Sequence, residues 1–524
     1  MGVFLNPGDA MLRQGRNSKI YVDKSALIAY LNSVLNSEQK YVCVSRPRRF
    51  GKSMAANMVS AYYDRSVDGR QVFHGLQIAK DSKFDECRNR YDVIKLNIRD
   101  FLSENANMPD MLQDISESVL EELGGEYPDV PLDQRRLARS MAKIFDATGR
   151  QFVIVIDEWD AVFRVYQHDE DAQRDYLDFL RLWLKDRPYV ALAYMTGILP
   201  IKKYGEHSAL NMFSEFSMAD ADVLAPTMGF TDAEVRALCR EWNMPYDETR
   251  AWYDGYLLEG AGEIYSPQSI VEAMTRHAFG DYWNSTETYE ALKVYLDLNY
   301  DGLRDAVVAM MAGDRHVVNI GKFSNDMTSF VSADDVLALL VHLGYLAYDQ
   351  TSREVFVPTR EVMQEFVNST DNGGWNEVAR AVRGSGRLLQ NIIAGNEDAV
   401  AAGIEVAHQE TSHLTYNDEN ALAYTLSLGL YAARQWYDVI RELPAGKGFA
   451  DLVFIPRRAY ADRPAIVAEL KWDESAETAI EQIHQRRYPD VLEQWRRDGG
   501  QVILAGVSYD KKTRKHSCII ERVG

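Results

Sequence analysis

The chain has 524 residues, 46% of them hydrophobic, with 58 Lys+Arg against 78 Asp+Glu and a formal net charge of −20. At roughly 100–200 residues per domain that length predicts about three domains, and the apolar content excludes a fibrous or wholly disordered chain. The acid excess excludes a general polycationic sleeve for nucleic acid, although residues 441–524, with 15 Lys+Arg against 13 Asp+Glu, carry enough base to approach a phosphate backbone.

Cys43, Cys87, Cys239 and Cys518 lie far apart, with neither a disulfide framework nor zinc spacing among them, so reduced thiols are expected. The N-terminal stretch lacks the apolar core of a signal peptide. No run approaches the roughly 20 apolar residues that span a bilayer. The expectation is a soluble, cytoplasmic protein without a membrane partner.

In chain order, apolar runs at Tyr41–Ser45, Asp92–Ile98, Phe152–Ile156 and Tyr189–Thr196 predict strands, with helical patterns such as Met111–Leu123 and Arg174–Lys185 between them. That alternation predicts a parallel α/β sheet. After Tyr41–Ser45 comes Arg46-Pro47-Arg48-Arg49-Phe50-Gly51-Lys52-Ser53, then a helical run from Met54. Strand, loop, Gly-Lys-Ser, helix is the context of a phosphate-binding loop. Gly51 lets backbone N–H groups turn towards an anion, and the helix N-terminus adds its positive end. Lys52 would reach the β/γ-phosphates and the Ser53 hydroxyl would hold Mg²⁺. The usual first glycine of such a loop is replaced by Arg46.

The run Phe152–Ile156 ends in Asp157-Glu158. Asp157 fits the strand-tip acid that shares Mg²⁺ with the loop serine, and Glu158 fits a base that orients the attacking water. Thr196 ends the next strand, as a γ-phosphate sensor or a plain turn residue. Arg164, Arg181 and Arg187 are all open as the arginine that completes many ATPase sites.

From Thr231 the pattern turns helical, with Thr231-Asp232-Ala233-Glu234 as a capping box. Residues 333–367 then read as helix, β-hairpin, helix, a winged-helix-like layout; such units bind DNA in some proteins, and a packing module is the plainer reading.

A second constellation lies near the C-terminus. Two apolar strands, Asp451–Ile455 and Ala465–Lys471, flank a polar turn and predict a hairpin. Glu469 and Lys471 are two apart on one strand and so share a face, about 6.7 Å apart. Asp451 begins the other strand and can lie beside them. Two carboxylates and a lysine so placed suit a hard divalent metal and phosphodiester hydrolysis. A following helix over Glu474–Tyr488 carries Gln482 and Arg486 one turn apart. Upstream, Glu419 in the helical run Asn417–Ala433 is a further candidate metal ligand.

At these residues the sequence resembles a bacterial family that pairs an AAA-ATPase-like N-terminal domain with a PD-(D/E)xK-nuclease-like C-terminal domain. The matching stretches are Tyr21–Lys24, Arg46–Ser53, Val155–Glu158, Thr196–Ile198, Trp252–Tyr256, Tyr265–Ile270, Phe449–Asp451, Glu469–Lys471 and Gln482–Tyr488. In that family Arg46 is the habitual residue at the first loop position. Together with the patterns above, the expected organisation is residues 1–228 as a P-loop ATPase domain, 229–300 as a helical lid or adaptor, 301–400 as a helical and winged-helix-like linker, and 405–524 as a restriction-endonuclease-like α/β/α domain. The resemblance implies nucleotide binding by Lys52, Ser53, Asp157 and Glu158; with the loop reading, the expected ATP site is Arg46, Pro47, Arg48, Arg49, Phe50, Gly51, Lys52, Ser53, Met54, Asp157 and Thr196, with Mg²⁺ on Ser53 and Asp157. Glu158, Asp451, Glu469, Lys471 and Gln482 would be catalytic, and Asp451, Glu469 and Glu419 would hold Mg²⁺ or Mn²⁺. The chain departs from the family at Ala450, where a basic residue more often precedes the aspartate. Nucleic acid, DNA more than RNA, is the implied partner. The alternative is an ATP-dependent switch or scaffold whose C-terminal domain binds nucleic acid or protein without cutting, which the −20 charge favours.

Overall fold

The computed structural model describes the chain except residues 1, 202–209, 284–288, 297, 299, 301, 324–329, 370–375, 412–418, 446–447, 458–459, 487–491, 493–494, 496–498 and 524. It divides into two compact units, Met1–Thr286 with His316–Val362, and Glu287–Arg315 with Met363–Gly524.

In the first unit five strands form one sheet: β1 (Tyr41–Ser45), β2 (Asp92–Asn97), β3 (Phe152–Asp157), β4 (Val190–Gly197) and β5 (Ser214–Phe216), in the order β2-β3-β4-β1-β5. Every pairing is parallel. Strands β1, β3 and β4 are buried along their whole length, which is why they read as unbroken apolar runs. The helix expected over Met111–Leu123 extends to Met108–Glu126, because the Asn107 side chain caps it and Pro109 fits its first turn. The expected capping box forms, with Thr231 and Glu234 bonding reciprocally at the start of the helix Asp232–Glu241.

A small sheet follows, β6 (Phe230–Thr231), β7 (Tyr256–Leu258) and β8 (Gly262–Tyr265). The winged-helix-like layout is also present. The helix Ala333–Leu343 precedes an antiparallel pair, β10 (Ala347–Asp349) and β11 (Glu354–Phe356), and the helix Arg360–Ser369 follows it. An earlier strand, β9 (His316–Val317), pairs with β11 and completes a three-stranded sheet.

The second unit is built on β12 (Tyr437–Ala445), β13 (Gly448–Pro456), β14 (Ala465–Trp472), β15 (Val502–Asp510) and β16 (Lys515–Val523), in sequential order across the sheet. Only β14–β15 is parallel. Leu452, Phe454, Ile466, Ala468 and Leu470 share a core with residues of the helices Asn376–Ala394, Glu397–Thr411 and Glu419–Gly429. Val453, Ala465, Val467, Val502 and Leu504 pack with Ile480 and Ile483 of the helix Ala476–Arg486. Helices therefore cover both faces, an α/β/α sandwich.

Candidate nucleotide and metal sites

Parallel pairing brings the carboxyl ends of β1, β3 and β4 to one edge. Val44 pairs with Thr196, and Ile156 with Met195, so the loop after β1, Thr196 and Asp157 meet where open parallel sheets bind ligands. Gly51 caps the helix Lys52–Tyr63 at φ +90°, a backbone state open mainly to glycine. Lys52 is 8% exposed, and its Nζ donates to the carbonyls of Arg46 (2.9 Å) and Pro47 (2.8 Å). Burial pulls its pKa down to about 8, against the attraction of Asp160, Asp157 and Glu158. Among the described residues this buried ammonium is bonded to neutral carbonyls alone, an arrangement that suits an anion.

Asp157 is buried and accepts from the Thr196 hydroxyl (2.5 Å) and from the Glu158 N–H (3.0 Å). Glu158 sits at φ +51° immediately after the strand, an unusual state for a residue with a side chain. Its carboxylate is paired with Arg164 at 2.8 Å, and Arg164 also approaches Asp160 at 3.3 Å. Of the three arginines left open by the sequence, Arg164 is thus the one beside the acids. Arg187 bonds the Leu182 carbonyl, and Arg181 is exposed on its helix. Asp160, which sequence reasoning passed over, is fully buried and accepts from the Leu199 N–H.

The other loop residues divide by direction. Arg46 is fully buried and its Nη1 straps the Ser45 and Phe216 carbonyls, joining β1 to β5 inside the sheet. Ser53 and Met54 are exposed on the first helical turn, and Arg48 is half-buried. The Ser53 hydroxyl and the Asp157 carboxylate are hard oxygen donors that suit Mg²⁺.

Pro47, Arg49 and Phe50 face the rest of the unit. Arg49, at φ +68°, donates to the Tyr282 carbonyl (3.0 Å), and Phe50 packs edge-on against Tyr256. Tyr256 in turn donates to the Gly344 carbonyl (2.7 Å). The buried Glu361 accepts from the N–H groups of Tyr282 (2.6 Å) and Trp283 (3.2 Å). The phosphate loop therefore touches the winged-helix-like segment. Gly344 is at φ +88°, and a Cβ there would lie 2.7 Å from Pro47 Cβ and 3.0 Å from Trp283. Gly344→Ala is expected to cost about 2–3 kcal/mol from the left-handed backbone and the clash together. Urea unfolding measures that loss, and fluorescent-nucleotide affinity should fall with it as Pro47 is displaced.

In the second unit Leu452 pairs with Ala468, so Asp451 and Glu469 are the next residues along two neighbouring antiparallel strands. Asp451 accepts from the Leu470 N–H at 2.7 Å. Glu469 is 1% exposed; its Oε1 accepts from Gln482 and lies 3.5 Å from Lys471 Nζ. Burial, and then the Asp451 charge, push the Glu469 carboxyl up to about 8, while Lys471 and Arg486 oppose the shift. Glu469 Oε2 is buried without a hydrogen-bond partner among the described residues. An orphaned carboxylate oxygen beside a second carboxylate fits a divalent cation. Among the described residues no three His, Cys, Asp or Glu side chains gather into a metal-binding group. The Glu419 side chain and residues 446–447 lie outside them.

Comparison with known proteins agrees with this division. Residues 12–205 match the family model described as "Predicted AAA-ATPase", and residues 418–518 match one described as "PD-(D/E)XK nuclease superfamily". No curated protein matches the chain. Among solved structures, a Walker-type ATPase of Pyrococcus abyssi is similar at 13% identity over 66% of this chain and 94% of its own, with a TM-score of 0.34. The ORC2 protein of Aeropyrum pernix, solved in ADPNP–ADP complexes, is similar at 11% identity over 69% and 97%, with a TM-score of 0.31. The Aeropyrum pernix ORC1 protein, solved in complex with DNA, is similar at 13% identity over 88% and 96%, with a TM-score of 0.24. The chain carries an AAA-ATPase-like domain followed by a domain of the PD-(D/E)XK nuclease superfamily.

Proposed function

We propose that the chain binds and hydrolyses ATP with Mg²⁺ in its first unit and hydrolyses DNA phosphodiester bonds with Mg²⁺ or Mn²⁺ in its second. The observation that carries the reading is the cluster of the buried Glu469 and Lys471 with the half-buried Asp451 and Gln482, in which one Glu469 oxygen has no hydrogen-bond partner among the described residues. In the first unit Gly51 and the helix N-terminus receive phosphate oxygens, Lys52 exchanges its carbonyl bonds for them, and Ser53 and Asp157 hold the ion. Glu158 orients water once it is released from Arg164, and Thr196 keeps Asp157 in place.

In the second unit Asp451 and Glu469 hold the ion, which supplies Lewis acidity when bound. Gln482 fixes the Glu469 carboxylate, and Lys471 sets a positive charge against the phosphate. Nucleotide binding gates this second site, a step that requires ATP to favour one arrangement of the first unit over another. The approach of Pro47 to Gly344 in the winged-helix-like segment, and the packing of Phe50 on Tyr256, which bonds Gly344, support that role. Among the described residues no helix is long and apolar enough to cross a membrane, and all four cysteines are buried and free. A reducing, cytoplasmic setting completes the proposal.

The test is plasmid degradation in Mg²⁺ or Mn²⁺ by the intact chain and by Lys471→Ala. Loss of cutting in the variant is expected; equal cutting by both removes the site. DNA binding by the wild type with no cutting in either metal would favour the scaffold reading. Cutting that ATP, ADP and Lys52→Ala leave unchanged would remove the gating step.

A further inference from the structure

The turn between β15 and β16 is Lys511-Lys512-Thr513-Arg514-Lys515, four cations in five residues of a chain whose net charge is −20. All five residues are exposed. Among the described residues none of the four cations is in an ion pair, although salt bridges are frequent elsewhere on the surface. The turn is also held in shape. Asp510 Oδ1 accepts from the N–H groups of Lys512 (2.7 Å) and Thr513 (2.9 Å), and the Asp510 carbonyl accepts from Arg514 N–H (2.8 Å). Asp473, at the end of β14, accepts from the Lys511 N–H at 3.3 Å, while its own N–H donates to the Tyr509 carbonyl. The nearest acids of the turn, Asp510 and Asp473, are thus occupied by backbone donors. Further acids lie close by: Glu405, bonded to His516 beside the turn (2.6 Å), and the exposed Glu474, just after β14.

Position gives the cluster its meaning. Strands β14 and β15 run parallel, and Lys471 pairs with Ser508. Three residues beyond Ser508, about 10 Å along the chain, the basic turn begins. It therefore projects from the same strand ends that carry Glu469 and Lys471. Successive nucleotides of a strand rise about 3.4 Å, so a backbone presenting its scissile phosphate to Lys471 lays phosphates about three to five nucleotides away over the turn.

We infer that Lys511, Lys512, Arg514 and Lys515 form a clamp for the nucleic-acid backbone flanking the scissile phosphate. The clamp rests on the phosphodiesterase reading only for its orientation, and it acts by charge, independently of metal. It offers a local attraction that offsets the long-range repulsion of an acidic chain.

The test is fluorescence anisotropy of a labelled DNA duplex with the full chain in EDTA, across a salt series. Replacing all four cations by alanine is expected to weaken binding at low salt by about tenfold or more and to flatten the log–log salt dependence by up to about 3.6, near 0.9 per lost phosphate contact. A charge-preserving set, Lys511→Arg, Lys512→Arg, Arg514→Lys and Lys515→Arg, is expected to bind as the wild type does. Unchanged affinity and slope in the alanine variant overturn the clamp, as does a wild type that binds anionic lipid vesicles through this turn but no duplex. If the alanine variant loses binding while the wild type cuts nothing, the clamp stands and the phosphodiesterase reading falls. If the wild type cuts and the alanine variant binds undiminished, the reading stands and the clamp falls.

Discussion

Lys52→Ala is expected to weaken nucleotide binding by about 10²-fold or more, the usual cost of deleting one partner of a desolvated charged contact. Fluorescent-nucleotide titration reads this directly, and affinity that survives the substitution removes the phosphate-loop assignment. A pH series separates the lysine's charge from mere packing. In the free protein burial holds Lys52 at about 8, below its ordinary 10.5. A bound polyphosphate favours the charged form, so its pKa rises in the complex and binding takes up a proton at higher pH. The affinity of the wild type should accordingly hold steady below about pH 8 and fall above it, towards tenfold per pH unit. In Lys52→Ala that fall is absent. The free protein shows the opposite trend in stability. The folded pKa is depressed, so between about 8 and 10.5 the unfolded chain binds the extra proton, and the nucleotide-free protein gains stability as pH rises through that window. A wild-type affinity that is flat from pH 7 to pH 10 would sink the assignment of this lysine as the phosphate's charge partner.

The parts of this site that were legible in the sequence are those whose local pattern is also their tertiary role. The strand Phe152–Asp157 is buried on both faces and so reads as an unbroken apolar run ending in acid. Gly51-Lys52-Ser53 reads as a loop-to-helix junction because the glycine's backbone state is a local requirement. Arg46 was legible as a loop residue only. Its guanidinium runs inward to Phe216 on β5, a three-residue strand too short for any periodicity to announce. The choice of Arg164 had a local signal that went unused: Asp160 and Arg164 are four apart and meet on one helical turn, and Glu158 lies six residues before Arg164.

The second unit shows the same division. Strand β14 was plain from its apolar run, and Glu469 and Lys471 from their spacing of two. Strand β12 was hidden by Pro444, which pairs opposite Phe449 and is tolerated because β12 is an edge strand. The contact of Gln482 with Glu469 depends on how closely the helix Ala476–Arg486 approaches β15, where a Cβ on Gly506 would lie 2.5 Å from the Ala476 carbonyl. That approach is a property of packing, not of spacing.

Glu469→Gln is expected to abolish DNA cutting while making the metal-free protein more stable. The wild-type carboxyl is buried, faces Asp451 and is pushed up to about 8, against an ordinary value of 4.5. The folded chain therefore binds the extra proton between those values, and in EDTA the wild type should lose stability as pH rises from about 4.5 to 8. Glutamine has no proton to lose, keeps the shape, and leaves no buried charge without a cation, so that slope should disappear. At pH 8 the variant's midpoint in EDTA should lie a few degrees above the wild type's, on the order of 1–2 kcal/mol at about 2–4 °C per kcal/mol. A divalent ion reverses the ranking. Metal binding displaces the Glu469 proton, so wild-type Mn²⁺ affinity should climb with pH towards about 8 and level off above it, and in Glu469→Gln it should be weak and far less dependent on pH. Calorimetric unfolding in EDTA and Mn²⁺ titration at pH 6 and pH 8 check both halves. Parallel stability curves for the two proteins would show that Glu469 carries no displaced proton, and wild-type Mn²⁺ affinity equal at the two pH values would remove it from the metal's ligands.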